Sequence, residues 1–202
     1  MYPVSPYAVV LGTVAGAWPP FEIEPRLRAT LSALGEVDKL LADWYVAPFL
    51  RSPSGHWSVD CWARPGSVDR PYLWLTANRL RLELPQRLKT LQRLASMEKL
   101  EAILHALVPI WRPAYAFVAP ADWPTLRLMQ GARCYNYVGW ITLVPASAEQ
   151  MRELLTQMSV KPFDREHCLV YAVEGRYTKR NRAHNAAVEH LASMLDKAQV
   201  TW

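Results

Sequence analysis

The stretch NRLRLEL, residues 78–84, constrains the chain more than any other. Leu80, Leu82 and Leu84 alternate with Arg79, Arg81 and Glu83, and a period of two is the signature of a strand with one apolar and one polar face. HWSVDCWA, residues 56–63, alternates in the same way, with His56, Ser58 and Asp60 on one side and Trp57, Val59 and Cys61 on the other. Two antiparallel strands are predicted, and the rest of the chain has to supply the cover for their apolar side.

YAVVLGTV, residues 7–14, is a short Val-rich run and predicts a first strand buried on both faces. Pro25 at the first position of a helix, followed by Leu27, Leu31, Leu34 and Leu41 on one face, predicts a helix that Gly35 stops or kinks. The continuation EVDKLLADWY then reads as a second short helical piece that delivers Trp44 and Tyr45 to the core. Pro85 opens a helical region to about Val108, and its leucine face rotates near Ala95 and Ser96, so two helices or a kink are expected with Ser96 as an N-cap. AYAFVAP (114–120), YNYVGWITLVP (135–145) and HCLVYAVEG (167–175) are further strands, with short helices near 123–130 and 148–158 and a last helix from about Asn181 to Ala198. This order predicts an α+β fold in one domain over 1–202, a mixed or antiparallel sheet covered by helices.

At 202 residues and 51% hydrophobic composition the chain can bury a substantial core. The net charge of +5 does not by itself demand nucleic acid, but its distribution is uneven. Residues 1–50 carry five acids (Glu22, Glu24, Glu36, Asp38, Asp43) against three bases, whereas 51–135 carry twelve bases against six acids. The opening MYPVSPYAVVLGTVAG is broken by Pro3 and Pro6 and is too short to span a bilayer, so a cytoplasmic protein is expected, with no membrane partner. Cys61, Cys134 and Cys168 form no CxxC and are expected as buried free thiols.

Catalytic patterns are weak. His56, Ser58 and Asp60 hold the residue types of a hydrolytic triad, but on one strand face they stand about 6.5–7 Å apart in a row, too far for a nucleophile to bond its base. Adjacent His167 and Cys168 point to opposite faces of a strand. The chain has no GxSxG, HExxH, P-loop or GxGxxG, and its eight glycines leave little material for a phosphate cradle. No enzyme, metal or cofactor is implied.

Two basic groups bear on nucleic acid. Arg79, Arg81, Arg87, Lys89 and Arg93 form one; Arg176, Lys179, Arg180 and Arg182 form the other, at the start of the last helix, where the backbone dipole is already positive. Glu83, Glu98 and Glu101 dilute the first, and neither sits in a recognised nucleic-acid motif, so solvated basic faces are the simpler reading. The second group needs hydration or carboxylates, in this fold or on a protein partner. His184 falls on the apolar face of the last helix, one turn before Val188, and is expected as a core histidine hydrogen-bonded to backbone or carboxylate. Nine tryptophans without a cofactor motif point to cores and protein interfaces.

Several segments together carry a resemblance. DKLLADWY, with Asp38, Leu41, Trp44 and Tyr45, the WRP of residues 111–113, the Gly139–Trp140 pair, and NRAHNAAVEHL in the last helix resemble the immunity protein 52 family of bacterial polymorphic-toxin systems, loosely from residue 8 to 198. The resemblance implies a cytoplasmic, non-enzymatic α+β antitoxin that binds a cognate secreted toxin, typically a restriction-endonuclease-like nuclease delivered by contact-dependent or type VI secretion. A basic inhibitor does not mimic DNA. Inhibition is therefore expected either through the acidic patch of Glu22, Glu24, Glu36, Asp38 and Asp43, or by cover of acidic and apolar surface away from the phosphate track, including a toxin's own assembly surface. Exposed tryptophans make the better anchors. Trp18, Trp57 and Trp123, beside turn or polar residues, are favoured over Trp44 and Trp140.

Overall fold

The alternation at Leu80 and Leu82 builds a strand in the computed structural model, which describes residues 7–14, 16–51, 57–63, 71–84, 93–120, 137–178 and 180–202. The fold is α+β, and the chain divides into two compact units, Met1–Pro113 and Ala114–Trp202. Within each unit the strand ladders are antiparallel.

The first unit contains β1 (Tyr7–Gly12), α1 (Pro20–Val37), a 3-10 turn (Lys39–Leu41), β2 (Trp44–Val46), β3 (Leu50–Arg51), β4 (Trp57–Ala63), β5 (Tyr72–Thr76), β6 (Arg79–Glu83) and α2 (Met97–Trp111). Its strands lie in the order β2, β4, β5, β6, β1, with β3 also paired to β4. β1 is buried along its whole length, as its Val-rich sequence predicts. On the buried face of the sheet Val59, Cys61, Leu73, Leu75, Leu80 and Leu82 are at most 1% exposed.

α1 packs on α2, and the junction is polar as well as apolar. Trp111 closes α2 with no exposed surface. Its indole N–H donates to Thr30 Oγ1 at 2.7 Å. As a residue in the last turn its carbonyl lacks a helical partner, and it accepts instead from Trp18 Nε1 and Arg26 Nη1, each at 3.0 Å. Arg112 follows in the left-handed region (φ 43°), and its N–H closes the helix on Val108. The WRP segment is thus a helix end built into a core.

Several expectations change here. α1 starts at Pro20, not at Pro25, because Pro20 takes the position where a missing N–H costs nothing; Pro25 lies inside the helix. Gly35 does not stop the helix. A Cβ there would stand 3.1 Å from Ala42 Cα, so the glycine lets the chain after α1 fold back closely on it. EVDKLLADWY gives one 3-10 turn and then β2, and Tyr45 is 51% exposed rather than in the core. Ser96 caps α2 as predicted, its Oγ accepting from the Lys99 N–H at 3.3 Å. The helix runs on past Val108 to Trp111. YLWLT, not read as a strand, is β5 and separates the two strands that alternation identified.

The second unit contains β7 (Tyr115–Pro120), β8 (Ile141–Val144), α3 (Ala148–Leu154), β9 (Ser159–Pro162), β10 (Cys168–Tyr171) and α4 (Arg182–Lys197), with strands in the order β7, β8, β10, β9. Gly139 lies so close to β7 that a Cβ would meet Val118 O at 2.3 Å, and the next N–H, of Trp140, donates to that same carbonyl at 2.7 Å. Trp140 is fully buried, its indole donating to Val173 O. The segment near 123–130, expected as helix, lies outside the described residues. No helix among the described residues is long and apolar enough to cross a membrane.

Candidate interaction surface

Of the five acids of the first fifty residues, three are ion-paired within the fold and one of these, Asp38, is buried. Glu22 pairs with Arg26 and Glu24 with Arg28, one helical turn apart on α1. Asp38 is buried, which corrects its assignment to a surface patch. It caps the 3-10 turn through the Leu40 N–H at 3.0 Å, takes Arg93 on both oxygens at 3.0 and 2.7 Å, and lies 3.4 Å from Lys99 Nζ. Burial would raise its carboxyl, but the Leu40 N–H, Arg93 and Lys99 outweigh that and hold it below the usual carboxylate range. Glu36 and Asp43 remain exposed.

The tryptophan candidates also change. Trp18 is 4% exposed and packs on Trp111 with ring centroids 4.6 Å apart, because its indole N–H is needed at the α2 terminus. It is a core residue and no anchor. Trp57 lies in β4, and its side chain is outside what the structure describes; Trp123 lies outside the described residues.

What the fold brings together is the other face of the first unit's sheet. Tyr45 is registered opposite Trp62, Trp62 opposite Tyr72, and Tyr72 opposite Glu83. The neighbouring row sets Asp60 against Trp74 and Trp74 against Arg81. Cross-strand partners share a face, so Tyr45, Trp62, Tyr72 and Trp74 form one aromatic field. Trp62, Tyr72 and Trp74 are half-buried, in contrast to the closed leucine face. Tyr45 and Trp62 rings stand 4.8 Å apart, tilted by 34°. The Tyr72 hydroxyl donates to Asp60 Oδ1 at 2.6 Å, and burial together with that carboxylate pushes the phenol well above its ordinary range. Arg81 pairs with Glu83 at 2.8 Å.

The field runs on to an apolar edge. Among the described residues β2 has no strand on its other side. From Val46 opposite Cys61 to Leu50 opposite Ser58 the outer chain advances four residues while β4 advances three, so one extra residue is accommodated around Pro48 and Phe49. The bulge and a proline without an N–H blunt the edge against strand addition, yet the side chains stay out: Leu50 is 62% exposed, and Val46 and Phe49 are also exposed. Leu50, opposite Ser58, shares the face of Tyr45. Sequence reasoning missed this field because Tyr45 was placed in a helix and YLWLT was not paired; alternation of Tyr72, Trp74 and Thr76 with Leu73 and Leu75 was the available signal.

Among the described residues the first basic group is partly committed to carboxylates of this fold. Arg93 is committed to Asp38 and Arg81 to Glu83, while Arg87 and Lys89 lie outside the described residues. At the start of α4, Arg176, Arg180 and Arg182 are exposed and Lys179 lies outside the described residues. The helix start is completed by neutral groups: Asn181 Oδ1 accepts from the Ala183 N–H at 3.0 Å, and His184 Nδ1 accepts from the Thr178 N–H at 2.9 Å. His184 is half-buried, its ring 5.7 Å from that of Tyr177. It is bonded to backbone as expected, although Val188, Leu191, Ala192 and Leu195 form the buried stripe of α4.

Nothing described gathers a catalytic set. Of the former triad, His56 lies outside the described residues and Asp60 is bonded to Tyr72. Cys61 and Cys168 are buried free thiols; burial, with the Asp60 carboxylate, pushes Cys61 up to about 12, and burial pushes Cys168 up to about 11 against the pull of Arg152. Burial and the raised values both disfavour the reactive thiolate. His167 Nδ1 meets Asp164 at 2.9 Å on a turn. Among the described residues no group of three His, Cys, Asp or Glu could hold a metal. A groove of about 340 Å³ in the second unit is lined by Met151, Leu154, Val200 and neighbours, without a titratable side chain. No family model matches the chain, and no curated protein matches it at a significant level.

Proposed function

We propose that the chain is a cytoplasmic immunity protein that neutralises a cognate secreted toxin, a restriction-endonuclease-like nuclease, by stoichiometric protein–protein binding. The observation that carries this reading is the open aromatic field of Tyr45, Trp62, Tyr72 and Trp74 with Arg81 on its rim. Tyr, Trp and Arg are the residue types that dominate binding energy at protein interfaces. The resemblance of DKLLADWY, WRP, Gly139–Trp140 and NRAHNAAVEHL to the immunity protein 52 family supports the same reading.

Between the two expected modes of inhibition, the charges favour apolar cover. Glu22, Glu24 and Asp38 are already paired within the fold, so little is left of an acidic DNA mimic. The test is co-expression with the toxin domain encoded beside this gene. Growth rescue together with a co-purifying one-to-one complex is the expected result. Rescue without any stable complex would sink the binding mechanism, and salt-sensitive retention of an oligonucleotide at low salt would favour a nucleic-acid-binding protein instead.

A further inference from the structure

We infer that the Tyr45–Trp62–Tyr72 row, with Asp60 beside it, receives a cationic side chain, arginine or lysine, from the protein partner; the inference rests on the partner-binding reading above. Three observations point to this chemistry. Aromatic faces attract cations through their ring quadrupole, and a planar guanidinium can stack on a ring while it hydrogen-bonds a carboxylate. Tyr45 and Trp62 lie 4.8 Å apart at the accessible end of the row, where Tyr45 is 51% exposed. Asp60 supplies the carboxylate two residues from Trp62 on the same strand face, about 7 Å along β4 and within reach of one long cationic side chain lying over the rings.

The charges across the sheet give the row a direction. At the β6 end the cation is already present, because Arg81 is paired with Glu83. Among the described residues the carboxylates at the β2 end have no such cation: Asp60 accepts the Tyr72 hydroxyl on Oδ1, and exposed Asp43, one residue before β2, has no ion pair. A phosphate would be repelled at this end, whereas a basic side chain completes it. The contact needs a single cationic side chain on the partner and not a basic surface as a whole, so the overall charge of +5 on this chain does not stand against it.

The test uses the full chain and N-acetyl-arginine amide, with N-acetyl-citrulline amide as an uncharged control of nearly the same shape. The indole N–H signals of Trp62 and Trp74, assigned through Trp62→Phe and Trp74→Phe, are followed by NMR. Saturable shifts with the arginine compound alone, lost in Tyr45→Ala and in Asp60→Asn, support the inference. Asparagine at position 60 still accepts from Tyr72, so that variant keeps the local fold. Equal responses to the two compounds, or responses that survive both substitutions, overturn it, as does displacement of the arginine compound by a single-stranded oligonucleotide at the same residues. In parallel, the affinity of the adjacent gene's toxin domain is measured: Asp60→Asn is expected to weaken it about tenfold and to flatten its salt dependence. Arginine-selective shifts in a chain that ignores the toxin would uphold the cation receptor and reject the immunity reading. Toxin binding without arginine selectivity would do the reverse.

Discussion

Replacing Asp38 by asparagine or alanine tests how the fold presents Tyr45. Asp38 sits between α1 and β2, its side chain 1% exposed, and it holds the Leu40 N–H, Arg93 and Lys99 together. Loss of the N-capping bond costs about 1 kcal/mol. The two ion pairs add about 0.5–1 kcal/mol each, because Arg93 is 56% and Lys99 34% exposed and both regain water when the carboxylate goes. The total for Asp38→Ala is about 2–3 kcal/mol, below the 3–5 kcal/mol typical of breaking a fully buried pair. Urea unfolding followed by circular dichroism measures it, with an unchanged slope expected. The pH dependence fixes the cause. The folded carboxyl titrates below its unfolded value, so its stabilisation is complete above about pH 5 and is lost as pH falls through the folded value. The gap in stability between wild type and Asp38→Asn should therefore shrink below about pH 4, while other acids cancel in the comparison. A cost under about 0.5 kcal/mol, or a gap that persists unchanged in acid, would refute the reasoning.

Other substitutions probe the two cores and the thiols. Gly139→Ala should destabilise by about 2 kcal/mol or more in urea unfolding, since the new methyl would meet the Val118 carbonyl at 2.3 Å. Thr30→Val keeps the volume but orphans the buried Trp111 indole N–H, and should cost about 1–3 kcal/mol by the same measurement. Cys61 and Cys168 should resist a thiol reagent at pH 8 in the native protein and react on addition of denaturant, because both are buried and protonated there.

The sequence made the strands with one apolar face legible, because alternation of Leu with charged residues survives any tertiary context. It also showed one cap: Ser96 is read from residue type and position alone. What stayed hidden depends on distant partners. Trp18 sits beside prolines and looks like a surface residue, but an unsatisfied helix-terminal carbonyl 93 positions away draws its indole inward. Asp38 was counted among exposed acids because nothing local announces Arg93, 55 positions on. The error at Tyr45 came from extending a leucine period past Asp38, where the cap turns the chain out of the helix. The aromatic field needs three register relations at once, and no single segment contains them. Nor could the sequence separate charged residues that pair internally, such as Glu22 and Arg26, from those left for a partner.

The proposal that the open aromatic field binds a toxin is tested most directly by calorimetric titration, with Tyr45→Ala and Trp74→Ala, of the toxin domain that it requires an adjacent gene to encode. A triple charge reversal of Lys179, Arg180 and Arg182 to Glu serves as the comparison. At interface anchors each alanine should weaken binding about 30-fold or more, with the far-ultraviolet spectrum and melting temperature retained, while the charge reversal leaves affinity within about threefold of wild type. Wild-type affinity in both alanine variants, with the loss appearing instead in the charge reversal, would contradict the account and move the interface to the start of α4.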